Sequence, residues 1–225
     1  MSTSRDTFLT RVRQAVAEGN RAGGAPPLPT RGGVGYQGAG SDPVARLRIE
    51  LAAAGGHLHI VEDEAGAVSG IRVLLEELNA RRVLIGSGTR LDRLDLAARL
   101  GRMFDVRRVA DLRPDEEREA FFAADVGISG VDTVVAETGT VALETRRDQP
   151  RSLSLLPPVH IAVAWREQIV PDLFDLFAAA GGRGLPACLS LITGPSKTGD
   201  IELKLVTGVH GPGVVHLVLI APPAG

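Results

Sequence analysis

Hydrophobic positions along the chain switch repeatedly between a helical and a strand period. Residues 5–18 place Phe8, Val12, Ala15 and Val16 at helical spacing, with Arg5, Arg11 and Arg13 on other faces. That predicts an amphipathic arm ending at Gly19. Residues 20–43 are rich in Gly and Pro, which breaks both periods and predicts an extended connector. Residues 1–43 therefore read as an N-terminal helical arm and linker, and residues 44–225 as one α/β body.

Within the body, helical periods fall at 44–54, 67–79, 91–100, 114–123 and 171–180. Pro114 opens the fourth of these at a first-turn position, where its missing N–H costs little. Strands are predicted at 57–61, 82–85, 104–107, 126–129, 133–136, 141–144, 152–155, 161–164, 189–193 and 214–220. Alternation of helices with wholly apolar strands, such as Val83-Leu84-Ile85, argues an α/β fold: a Rossmann-like, mostly parallel sheet covered on both faces. The crowding of short strands over 126–164 implies a small antiparallel β insert.

Composition narrows the function classes. With 25 basic and 27 acidic residues the net charge is -2, which gives no general attraction to nucleic acid or to an anionic membrane. The single cysteine, Cys188, excludes an internal disulfide and any cysteine-only zinc or iron–sulfur site, which needs about four thiolates. It suits a reducing compartment. No apolar run approaches the roughly 18 residues that span a bilayer, so no membrane insertion is expected. The opening MSTSRDTFLT lacks a signal-type apolar stretch, and a cytoplasmic protein is expected. The two lysines, Lys197 and Lys204, fall within one short segment.

Ligands of open α/β sheets bind beyond the carboxyl ends of the strands, which directs attention to the loops. Gly86-Ser87-Gly88-Thr89 follows a strand and precedes a helix. Such a loop either cradles an anionic group on its N–H groups or is a tight turn with Thr89 capping the helix. It has neither the Walker A lysine nor the full dinucleotide-binding glycine spacing. Asp132 lies in the loop Gly130-Val131-Asp132-Thr133, shortly before Glu137-Thr138-Gly139-Thr140. Glu137, where an apolar strand meets a glycine turn, suits a base, a nucleophile or a hydrogen-bond acceptor; the alternative is a solvated hairpin carboxylate.

The segment from Thr193 to Glu202 gathers Gly194, Ser196, Lys197, Thr198, Asp200 and Glu202 after an apolar strand. Its hydroxyls and cation suit an anionic ligand, although Asp200 and Lys204 are also spaced as a helix-surface pair. His210, between Gly208 and Gly211 before the final strand, is free to titrate and suits proton transfer. His57 and His59 share one strand face by period two, but no third ligand is identifiable near them, and no metal is expected. His160, His216 and Trp165 read as packing or rim residues.

Three strings taken together resemble one family: GISGVDTVVAETGTVALET, SLLPPVHIAVAW and ITGPSKTGDIELKLVTGVHGPGVVHLVLI. In that order they resemble the lactate utilization protein C (LutC/YkgG) group of LUD-domain proteins, over most of residues 44–220. The resemblance implies a Rossmann-like sheet of the sugar isomerase/CoA-transferase (NagB/RpiA-like) type. It also implies a part in oxidising L-lactate to pyruvate beside iron–sulfur partner subunits. The family's motif positions fall here on Glu137, Thr138, Gly139 and Thr140, then on Gly194, Pro195, Ser196, Thr198, Asp200 and Glu202, and on His210 and Gly211. Lys197 stands at a motif position that the family does not fix.

Lactate oxidation releases two electrons, and no flavin, nicotinamide or iron–sulfur motif is recognisable in the chain, so no cofactor of its own is expected. The leading expectation is a subunit that binds a small anionic metabolite, with Glu137, Asp200, Glu202 and His210 as catalytic candidates. Gly86, Ser87, Gly88, Thr89, Asp132, Thr138, Gly139, Thr140, Gly194, Ser196, Lys197 and Thr198 are its ligand-binding candidates. Two other classes compete. One is a stand-alone enzyme of the isomerase/CoA-transferase type, with Glu137 as base or nucleophile and His210 as proton donor. The other is a non-catalytic module that senses a carboxylate metabolite.

Overall fold

The structure, a computed structural model, describes residues 4–19, 30, 38–183, 186–201, 204–208 and 210–222, with 180–183, 198–201 and 204–207 described by backbone alone. Residues Met1–Tyr36 and Gln37–Gly225 form separate units. The first holds α1 (Ser4–Gly19), on which Phe8, Val12 and Val16 are all exposed. The Gly/Pro-rich connector lies largely outside the described residues.

The second unit runs α2 (Pro43–Ala54), β1 (His57–Val61), α3 (Glu64–Glu77), β2 (Arg82–Ile85), α4 (Leu96–Leu100), β3 (Asp105–Arg108), α5 (Pro114–Ala123), β4 (Val126–Gly130), β5 (Thr133–Val135), β6 (Thr140–Glu144) and α6 (Ser152–Leu155). It continues through β7 (Val159–Trp165), β8 (Ile169–Val170), α7 (Leu173–Arg183), β9 (Leu189–Ile192), β10 (Lys197–Ile201), β11 (Lys204–Thr207) and β12 (Val214–Ile220). Six strands form an all-parallel sheet in the order β1-β12-β7-β4-β2-β3. A second sheet of four strands, β8-β5-β6-β9, is mixed: β5 pairs parallel with β8, while the β5–β6 and β6–β9 pairs are antiparallel. The hairpin β10–β11 stands as a two-stranded sheet.

The central strands β12, β7, β4 and β2 are buried on both faces, which is why they read as largely apolar runs, whereas the edge strands β1 and β3 are partly exposed. Alternate residues of β12 and β7 serve different layers. Val218, Ile220, Ile161 and Val163 join Ile71, Leu74 and Leu75 of α3 in one core. Leu217, Leu219, Ala162 and Ala164 join Leu47 and Leu51 of α2 in the other. Burial of each such leucine stabilises the fold by about 1.5–3 kcal/mol. Aspartates set the helix starts: Asp42 accepts from the amides of Val44 and Ala45, and Asp63 from Gly66.

The order of the strands fixes where a ligand site belongs. From β1 the chain crosses to β2, steps outward to β3, then returns to β4 on the other side of β2. From β4 it walks back through β7 to β12. The direction reverses between β2 and β4, so their carboxyl ends open the crevice where ligands of doubly wound sheets bind.

Several expected elements differ. Residues 152–155 form the short helix α6 rather than a strand, because Pro150 starts a turn closed by Leu153 N to Pro150 O at 3.0 Å. Gly127 leaves room for this helix: a Cβ there would stand 2.2 Å from the Leu153 carbonyl oxygen. Residues 91–100 split into a 3₁₀ turn and α4 at Asp95, whose φ of 45° ends the first turn. The insert is a mixed sheet rather than a purely antiparallel one, since β5 runs parallel to β8. The strands β8, β10 and β11 were not expected.

Candidate functional site

A cleft of about 810 Å³ opens at the reversal point, lined by the loops that follow β2 and β4 and by the end of β7. It brings together Ser87, Gly88 and Thr89 of the first loop with Asp132 of the second. The first loop is braced from within. The amide of Gly86 donates to the Ile128 carbonyl at 2.9 Å, that of Ser87 to the Asp148 carbonyl at 3.2 Å, and that of Gly88 to Asp92 Oδ2 at 3.3 Å. Those three donors are therefore committed rather than held open for an anion. Gly86 is packed, with a Cβ there only 2.9 Å from Leu153, whereas Gly88 has open space beside it.

Gln149, only 3% exposed, locks the end of β4. Its Oε1 accepts from the Gly130 amide at 2.9 Å, and its Nε2 donates to the Gly130 carbonyl at 3.0 Å. Asp132 is held as firmly: its Oδ2 accepts from the Glu144 amide at 2.7 Å, and Arg146 donates to both carboxylate oxygens at 2.9 and 3.3 Å. This fork geometry is the strong form of an arginine–carboxylate pair.

The facing wall is Trp165, Glu167 and Gln168. Gln168 donates to the Val131 carbonyl, while its Oε1 accepts from the Trp165 amide at 2.8 Å. Arg90 pairs with Glu167, and its guanidinium carbon lies 5.9 Å from the Trp165 ring centroid. Burial alone would push the Glu167 carboxyl up, but its backbone N–H and Arg90 hold it below the usual carboxylate range. The lining thus carries Arg90 and Arg146 against Asp92, Asp132, Asp148 and Glu167. Both guanidinium groups already face carboxylates.

Among the described residues, the remaining sequence candidates do not line this cleft. Glu137, Thr138 and Gly139 lie in the turn at the other end of β5, and Thr140 opens β6. Glu137 Oε1 accepts from the Gly38 amide at 3.1 Å. Thr140 Oγ1 lies 2.8 Å from Thr138 Oγ1 and 2.6 Å from Thr193 Oγ1, a chain of hydroxyls between two turns. Gly139, at φ +66°, lies against α2: a Cβ there would meet Leu51 N at 2.4 Å. Gly194, at φ +76°, lies against the end of the same helix, where a Cβ would stand 2.6 Å from the Ala54 carbonyl oxygen.

Lys197 donates its ammonium to the Ala54 carbonyl at 2.6 Å, which satisfies an open acceptor at the carboxyl end of α2. Ser196 pairs with the loop before β12 through Ser196 N to Pro212 O at 2.9 Å and Gly208 N to Ser196 O at 3.0 Å. His210 is exposed in that loop, at the amino ends of the parallel strands. Glu202 lies outside the described residues, as do the side chains of Thr198 and Asp200.

Sequence reasoning missed Arg90, Arg146, Gln149, Trp165, Glu167 and Gln168 as cleft residues. The one local signal was the polar run Arg146-Arg147-Asp148-Gln149 closed by Pro150, a turn placed directly after an apolar strand.

The histidine pair does find a third member. His216 of β12 stacks on His57 at 4.9 Å, and its Nδ1 lies 3.0 Å from His59 Nε2. Burial, then the neighbouring His59 and His57, push His216 down to about 4. Burial does the same to His160, also to about 4, with its Nε2 2.8 Å from Ser129 Oγ. Among the described residues no group of three or more His, Cys, Asp or Glu side chains is placed to hold a metal ion. Among the same residues no helix is long and apolar enough to cross a membrane.

Comparison with known proteins agrees with this architecture. The LUD domain family matches residues 44–220. Lactate utilization protein C of Bacillus subtilis is 29% identical over 238 aligned positions, covering 97% of this chain and 96% of that protein. Its counterpart in Halalkalibacterium halodurans is 39% identical over 145 positions, spanning 62% of each chain. A crystal structure of a DUF162 family protein from Deinococcus radiodurans superposes with a TM-score of 0.57 at 26% identity, over 79% of this chain and 96% of that one. The chain belongs to the LUD domain family and is a homologue of lactate utilization protein C.

Proposed function

We propose that this chain is a subunit of an L-lactate oxidation system that works with iron–sulfur partner proteins. In this reading the cleft between β2 and β4 binds its small anionic ligand. The near full-length similarity to lactate utilization protein C supports the pathway. The observation that carries the ligand site is the coincidence of a large polar cleft with the point where the sheet reverses direction. We place the sheet with those of sugar isomerases and CoA-transferases.

Conversion of lactate to pyruvate releases two electrons and two protons, and the electrons need carriers. A chain with one cysteine holds no thiolate-ligated cluster by itself, so the clusters belong to the partners. The division of labour is then plain: this subunit binds, positions and shields a carboxylate ligand, and electrons leave through neighbouring chains.

The test is reconstitution. The purified chain is expected to show no lactate-dependent dye reduction alone, and activity should appear when the iron–sulfur proteins are added. Full turnover by the isolated chain, or undiminished turnover by the partners without it, would overturn the assignment.

A further inference from the structure

The charge lining the cleft poses a problem that the proposed ligand must solve. Two guanidinium groups face four carboxylates, and each guanidinium already has an acidic partner. The loop amides of Gly86, Ser87 and Gly88 are committed as well. An incoming carboxylate therefore has no idle cation to meet, and binds well only by taking the place of a resident one.

The two pairs differ in how easily they give way. The Asp132 side chain is only 18% exposed and accepts from the Glu144 amide as well as from Arg146. Displacing it would strand that N–H, at a cost larger than the bond it makes. The Arg90 and Glu167 side chains are 42% and 57% exposed. Glu167 sits on the 3₁₀ turn after β7, from which its carboxylate can swing into water. An exposed pair of this kind is weak, and separating it costs little. Arg90 is also the better receptor: it follows the Gly86–Thr89 loop directly and lies over the only tryptophan, which fixes its planar fork.

We propose that Arg90 is the carboxylate receptor of the cleft and that Glu167 is its place-holder, exchanged for the carboxylate of a small α-hydroxy or α-keto acid when that ligand enters. The ligand's two oxygens take the guanidinium fork, and Glu167 moves out to solvent. In the empty protein the Glu167 carboxylate keeps Arg90 aimed into the cleft and blocks adventitious anions that bind more weakly than it does. The inference rests on the reading of the cleft as the ligand site.

The experiment is a titration of the full chain with L-lactate and with pyruvate, followed by calorimetry and by the fluorescence of Trp165, with L-lactamide as the uncharged control. Wild type should bind the acids and not the amide. Glu167→Gln removes the competitor and is expected to tighten binding roughly two- to fivefold, the scale of an exposed ion pair. Arg90→Gln should weaken binding by roughly tenfold or more, with an unchanged thermal melt. Affinity unaltered in Glu167→Gln while wild type still binds would overturn the exchange and leave the cleft as the site. Equal binding by Arg90→Gln would remove Arg90 from it. No binding by wild type or by Glu167→Gln, both folded, would overturn the exchange and the carboxylate reading of the cleft together.

Discussion

The two turns at the ends of β5 use the same residue types and do different work. At its start stand Gly130, Asp132 and Thr133; after it come Glu137, Thr138, Gly139 and Thr140. The first turn lines the cleft, with its carboxylate held by Arg146 and by the Glu144 amide. The second is closed against α2, with its glycine so near the helix that a Cβ would stand 2.4 Å from Leu51 N. A glycine, a hydroxyl and a carboxylate therefore occur together both in the lining of the cleft and in a turn packed on a helix. What separates the two is the direction of the sheet: one turn follows the carboxyl end of β4 at the reversal point, and the other supports a covering helix.

The largest expected effect lies in the packed turn. Gly139→Ala places a side chain at positive φ and inside van der Waals contact of the α2 backbone. The loss should be about 3 kcal/mol or more, which for a body of this size lowers the melting temperature by roughly 6–12 °C. Gly88→Ala, beside open space in the cleft loop, should stay within about 0.5 kcal/mol of wild type. Equal melts for the two variants would break the comparison, because both glycines would then be equally free.

Acid should act at the amino ends of the parallel strands. His160 and His216 lie near the amino ends of β7 and β12, away from the cleft. Unfolded imidazole titrates near 6.5. Folded His160 and His216 titrate at about 4. Between those values the unfolded chain holds more protons, so stability falls as pH drops from about 6.5 toward 4, and this contribution levels off below that. For the fully buried His160 the loss at pH 5 is about 2 kcal/mol. Thermal melts at pH 7.5, 6 and 5 should show the decline, and His216→Phe should make it shallower. An unchanged slope in that variant would place the acid sensitivity elsewhere.

Much of the fold was legible in the sequence because the central strands of its parallel sheet are buried on both faces. Runs such as Val83–Ile85 and Val214–Ile220 have no polar alternation to confuse, and they pair in the parallel sheet. The failures were local. Ser152–Leu155 alternates polar and apolar residues like a strand, yet Pro150 and the space above Gly127 turn it into a helix. Asp95 splits one expected helix in two by adopting φ 45°.

The lining of the cleft was half legible. Ser87, Gly88, Thr89 and Asp132 could be found by asking which loops follow strands. Arg90 and Glu167 are 77 residues apart, and Gly130 and Gln149 are 19 apart. Only the strand order brings these pairs together, and no spacing rule encodes it. The glycine and threonine strings, conspicuous in sequence, owe part of their character to the close approach of α2.

Within the cleft, the two ion pairs sharpen the comparison further. Asp132→Asn should cost about 1–2 kcal/mol, since it weakens a half-buried, bidentate, charge-assisted contact. Glu167→Gln should cost less than about 0.5 kcal/mol, as expected of an exposed pair. Raising the salt concentration should narrow the second difference more than the first. A larger loss for Glu167→Gln in chemical denaturation would reverse the assignment of strut and exchangeable partner.

The smallest expected effect tests the turn that carries the most conspicuous motif. Glu137→Gln keeps a carbonyl oxygen able to accept from the Gly38 amide while removing the charge. Stability should fall by less than about 1 kcal/mol. The titration of Trp165 fluorescence with L-lactate should superimpose on that of wild type, because Glu137 is not among the residues that line the cleft. The informative failure is a variant that melts like wild type but no longer responds to L-lactate. That outcome would join the two turns through the three residues of β5 into a single ligand-responsive element, and a role for Glu137 in the chemistry would follow from it.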